Sequence, residues 1–133
     1  MSEPLETDEQ RRAAGMRVRR EVLGDAHVDR AVAAVTPFTA DFQDFITRVA
    51  WGDLWQRPGL ARRDRSLMTL SITIALRHWD EFALHVRAAK NNGLSDEEIA
   101  EVIQHAAVYA GVPAANHAFK VAAPILEELR GQE

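Results

Sequence analysis

Glu81 and His85 stand four residues apart in a stretch that reads as helix, so their side chains meet on one face. A carboxylate beside an imidazole favours the protonated ring and fixes its tautomer, which suits a histidine that must deliver a proton near neutrality. His78 lies one turn earlier, and the same three residues admit a metal reading, though their spacing matches no familiar metal motif. An ordinary surface Glu–His pair has the same spacing. A second cluster, Arg62-Arg63-Asp64-Arg65, opens the next most informative helix. Cations there oppose the helix dipole, unless an anion sits where N–H donors and guanidinium forks converge. These arginines either hold a carboxylate ligand or pair with acids of the protein itself. A third group surrounds the elbow Tyr109-Ala110-Gly111-Val112-Pro113, where His105 and Asn116 flank the turn and could line a pocket. Close helix packing would explain the elbow equally well.

The elements that must position these residues read as helices from end to end. Polar residues 1–8 are expected to fray. A helix from about Glu9 to Leu23 stops at Gly24, and Asp25 is expected to cap a short helix carrying Val28, Ala31, Val32 and Val35. Pro37 fits an early helical position. Phe38, Phe42, Phe45 and Val49 then recur at helical spacing, predicting a buried aromatic stripe that ends near Trp51-Gly52. Pro58-Gly59 marks a loop. The apolar run from Leu67 to Leu76 is rich in β-branched residues, yet it is long and has no strand to pair with, so it predicts a central helix over 61–76. Further helices follow from Trp79 to Asn91, from the Ser95/Glu98 capping box to Ala110, and from Pro113 onward. The fold class is all-α, a single compact helical domain.

Composition narrows the chemistry. The 133 residues include no cysteine, which removes disulfides, thiolate metal sites and thiol redox catalysis. A net charge of −4 argues against a nucleic-acid partner. No apolar run reaches the roughly 18 residues of a membrane span, and Met1-Ser2-Glu3-Pro4 is acidic, unlike a signal peptide. A cytoplasmic protein without a membrane partner is expected. All but Lys90 and Lys120 of the 16 basic residues are arginine. Carboxylate recognition therefore has many candidates and Schiff-base chemistry only two, although a GC-rich genome would produce the same bias.

Taken together, the stretches Gly15 to Arg30, Phe38 to Gly59, Arg62 to Leu70, Ala83 to Leu94 and Val108 to Phe119 resemble the carboxymuconolactone decarboxylase family, in order and over most of the chain. The resemblance implies one helical domain over residues 9–130, assembly as a homohexamer, and a carboxy-lyase of the β-ketoadipate pathway acting on a lactone dicarboxylate. It also implies that no cofactor and no metal are needed. Alkylhydroperoxidase-type relatives carry a C-x-x-C-x-x-x-H motif; aligned on His85, its cysteines fall on His78 and Glu81, and their upstream glutamate falls on Ser66, so the redox branch does not apply. On this reading His85 delivers the proton and Glu81 orients it. Arg63 or Arg65 holds a substrate carboxylate, and His105 or Asn116 donates to the lactone oxygen. The alternatives are decarboxylation of a related lactone, or a non-catalytic helical oligomer that binds a small organic acid and has Trp51, Trp55 and Trp79 at its interfaces.

Overall fold

A computed structural model describes residues 7–132. Among them are seven α-helices and one π-helix, and no strand. The fold is all-α, as the hydrophobic periodicity predicts. The described residues divide into two compact units, before and after the Ala61–Arg62 bond.

The first unit contains α1 (Asp8–Leu23), α2 (Asp25–Ala33), α3 (Ala40–Ile46) and a π-helix over Thr47–Leu54 that continues α3 without a break. Of the residues expected to fray, 1–6 lie outside the described residues. Thr7 caps α1, closing a box with Gln10 in which each side chain bonds the other's backbone N–H. Gly24, at φ 90°, both ends α1 and starts α2, a conformation that costs little without a side chain. Asp25 is thus the first helical residue rather than the cap, and makes no side-chain capping bond. It joins Asp29 in holding Arg20.

The aromatic stripe is not buried. Phe38 is 96% exposed and Phe42 and Phe45 at least half exposed, because the helix starts at Ala40 and turns a different face inward. That face carries Thr47, Trp51 and Gly52 and packs on α1. The approach is set by two glycines. A Cβ on Gly15 would collide with the carbonyl oxygen of Thr47, and one on Gly52 with that of Arg11. Guanidinium–carboxylate pairs then tie the elements together. Arg11 grips Asp53 bidentately at 2.9 and 2.6 Å, while Asp44 takes both Arg12 and Arg48. The helix runs past its expected end to Leu54. Trp51 and Trp55 are buried and stacked on each other at 5.2 Å.

The second unit is a bundle of α4 (Arg62–Ala75), α5 (Trp79–Asn91), α6 (Asp96–Ala110) and α7 (Val112–Gly131). The β-branched run forms α4. The hydroxyls of Thr69, Ser71 and Thr73 donate to carbonyls four residues back, at 2.8–2.9 Å, which satisfies them within the helix. Leu70, Ile74, Phe82, Val86, Ile99 and Ile103 are sealed from solvent in one apolar cluster, closed on the α7 side by Ala114, Ala118, Ala122 and Leu126. The α4–α5 and α5–α6 connections share one geometry, a left-handed residue after the helix with two backbone bonds closing over it. At the first, Arg77 takes φ 57°, with His78 N–H on Thr73 O and Arg77 N–H on Ile74 O. At the second, Gly93 takes that place and Leu94 seals it. The Ser95/Glu98 capping box forms as predicted.

Candidate active site

The short α4–α5 connection fixes where α5 begins. His78 is its N-cap residue, with non-helical backbone, and is exposed. Two turns further on, His85 is 7% exposed on the helix face that also carries Phe82, Val86 and Ala89. Glu81 remains largely in solvent, and its Oε2 stands 3.9 Å from His85 Nε2. That separation is too long for a hydrogen bond and within ion-pair reach of a protonated ring. A buried imidazole next to a wet carboxylate can exchange protons with solvent while its own surroundings stay apolar.

Near the far end of α5, Ser66 is fully buried on α4 and accepts a hydrogen bond from Asn92 Nδ2 at 2.8 Å. The position at which redox relatives are expected to carry a glutamate is therefore filled by a neutral, satisfied pair. Arg65, one residue earlier, is 8% exposed at the first turn of α4. Arg63 is bound to Glu98, the α6 capping-box glutamate. The Ser95 backbone N–H, and then Arg63, hold the Glu98 carboxyl below its ordinary range.

His105 is exposed on α6 and stacks on Tyr109, ring centroids 5.0 Å apart. It borders two clefts between α4 and α6 that also share Ser71, one of about 530 Å³ and one of about 350 Å³. The larger is lined by Glu98 and Glu101, a sign of charge that opposes a dianion. Asn116 is exposed in the second turn of α7 and lines neither cleft. His117 packs its ring against Trp79 at 4.4 Å, so Trp79 has an intramolecular partner. The structure thus brings Glu81 and His85 together and commits Arg63 to Glu98. Among the described residues no group of three or more His, Asp or Glu side chains is arranged to hold a metal, His78, Glu81 and His85 included. No helix among the described residues is long and apolar enough to cross a membrane.

Sequence reading passed over Arg19. It occupies the buried stripe of α1, in step with Gly15 and Leu23 and beside Val18 and Val22, and is 6% exposed. A charge in register with an apolar stripe is a signal that the spacing contains, and the polar look of α1 hides it.

The described residues thus form an all-α fold with a buried histidine beside an exposed carboxylate on one helix, and the chain has no thiol. Residues 40–124 match the model of the carboxymuconolactone decarboxylase family, and the chain belongs to that family. It is 47% identical over 122 residues to a 4-carboxymuconolactone decarboxylase of Acinetobacter baylyi, covering 92% of this chain and 91% of that one. It is 45% identical over 115 residues to a nitrosuccinic acid decarboxylase of Metarhizium robertsii, covering 86% and 80% respectively. A 4-carboxymuconolactone decarboxylase sequence from Pseudomonas putida is 56% identical over 46 residues, 35% of this chain and 96% of that sequence.

Proposed function

We propose that this chain is a carboxy-lyase that converts 4-carboxymuconolactone to the 3-oxoadipate enol-lactone, in the protocatechuate branch of the β-ketoadipate pathway. The observation that carries the reading is 47% identity spanning nine-tenths of both chains with the Acinetobacter enzyme of that name. The chemistry is consistent with the residues. The departing carboxylate sits on the ring carbon that bears the lactone oxygen. As its C–C bond breaks, the electron pair moves through the ring double bond to the lactone carbonyl, giving a dienolate and CO₂. The substrate is its own electron sink, so the protein needs only to stabilise the developing oxyanion and protonate the α-carbon.

In this mechanism His85 delivers that proton, Glu81 orients the ring, and the proton is replaced from solvent on the Glu81 side. Arg65, or Arg63 on leaving Glu98, holds a substrate carboxylate. His105 or Asn116 donates to the lactone oxygen. Residues 9–130 act as one decarboxylase domain, in a cytoplasmic ring of six chains. The exposed apolar side chains Phe38, Val108, Tyr109 and Val112 support such an assembly, and sedimentation at six times the chain mass would bear it out.

A second reading is favoured by the Metarhizium relative: a small nitro-acid as substrate. A nitro group next to the departing carboxylate is an equally good electron sink, so the same proton donor would serve. The test is the purified protein with synthetic 4-carboxymuconolactone and with nitrosuccinic acid in parallel, in chelator and with no added coenzyme. CO₂ release and enol-lactone formation from the lactone are expected. Release from the nitro-acid alone would transfer the assignment to the second reading. Saturable lactone binding without CO₂ would make the chain a binding module.

A further inference from the structure

Within the first unit, Arg12, Met16 and Arg19 of α1, Val32 and Val35 at the end of α2, and Gln43, Asp44 and Thr47 line a pocket of about 190 Å³. Arg19 is the unusual member. It is more than nine-tenths buried, its Nε is sealed from solvent with no hydrogen-bond partner among the described residues, and one Nη reaches only the amide oxygen of Gln43, at 3.4 Å. The one carboxylate in the pocket lining, Asp44, is already engaged by Arg12 and Arg48, and its carboxyl is held down at about 2. Burial and the neighbouring Arg20 both press the Arg19 guanidinium below its ordinary range, yet arginine does not give up its proton in proteins. A buried cation without a counter-charge is costly, and an arriving anion removes that cost.

The geometry points to this pocket as a binding site for a small organic carboxylate, its anionic group on the Nη edge of Arg19 and its apolar body against Met16, Val32 and Val35. Inorganic anions match the charge and leave the apolar wall uncovered. A fork-shaped cation favours a bidentate carboxylate. The inference goes beyond the decarboxylase reading and does not rest on it, because its readout is binding and not turnover.

The experiment uses the full chain and succinate as the probe, at constant ionic strength, with sodium chloride and the uncharged succinamide as controls. Succinate is expected to raise the melting temperature saturably and to shift the methyl NMR signals of Val32 and Val35, with neither control doing so. Arg19→Met is expected to abolish both responses while the ligand-free variant melts no lower than the wild type, since an uncompensated buried charge has gone. Arg19→Lys is expected to keep a response at about tenfold weaker affinity, a point charge replacing a fork. Methyl shifts absent from the wild type would overturn the proposal without recourse to any variant. So would succinamide acting as well as succinate, or an Arg19→Met protein that still binds. A change in oligomeric mass in Arg19→Met with succinate binding intact would likewise overturn it, by assigning Arg19 to a carboxylate of a second copy.

Discussion

The first unit adds charge pairs and backbone contact to a small buried stripe of Val18, Val22 and Val28, whereas the second rests on a larger apolar cluster. In the first, Asp44 and Asp53 face guanidinium groups from α1, and two glycines allow helix backbones to touch. In the second, six large aliphatic and aromatic side chains are fully or almost fully out of water, with alanines completing the contact. Apolar burial tolerates a wet carboxylate at its edge, as Glu81 beside His85 illustrates. A glycine-crossed, arginine-rich interface instead depends on specific atoms being absent or charged.

That contrast yields tests in descending size. Phe82→Ala should cost about 3–5 kcal/mol, since a fully buried ring leaves a cavity in close-packed surroundings. A loss under about 1 kcal/mol in chemical denaturation would show that the second unit is loosely packed. Gly15→Ala, a change that would be stabilising in an exposed helix, should instead cost about 1–3 kcal/mol and speed hydrogen exchange in α1 and the π-helix. If this variant is more stable than the parent, helix propensity outweighs the close approach. Arg77→Gly should gain up to about 1 kcal/mol, because a left-handed residue there needs no side chain. The smallest effect concerns acid. Asp44 has its carboxyl lowered from 3.8 to about 2, first by Arg12 and then by Arg48. Its contribution is therefore present above about pH 4 and fades as pH falls toward 2. Asp44→Asn should flatten the acid limb of the stability profile between those values, and an unchanged limb would detach Asp44 from the first unit's stability.

The same contrast explains what the sequence made legible. The second unit could be placed residue by residue, from Trp79–Asn91 to the Ser95/Glu98 box, because periodic apolar spacing and capping chemistry are local signals. Glu81 and His85 came from the same i,i+4 rule. In the first unit α1 and its stop at Gly24 were legible in the same way, and the segment after Ala33 was not. Spacing shows that Phe38, Phe42 and Phe45 share a face, but only the pairing of Asp44 and Asp53 with α1 decides which face turns inward. The π-helix depends on that packing too, and no local propensity announces it. Arg63 and Glu98 lie 35 residues apart, beyond any spacing rule. Arg19 was visible as a charge in an apolar register, while its lack of a counter-charge among the described residues is a tertiary fact.

In the proposed mechanism His85 supplies the proton in the decarboxylation. Its most direct test is turnover of 4-carboxymuconolactone by His85→Ala beside the wild type, with circular dichroism and melting temperature measured on the same samples. An intact fold is expected, with a rate lower by about 10²-fold or more, the usual worth of a positioned acid. An unchanged rate in a folded His85→Ala protein would contradict it.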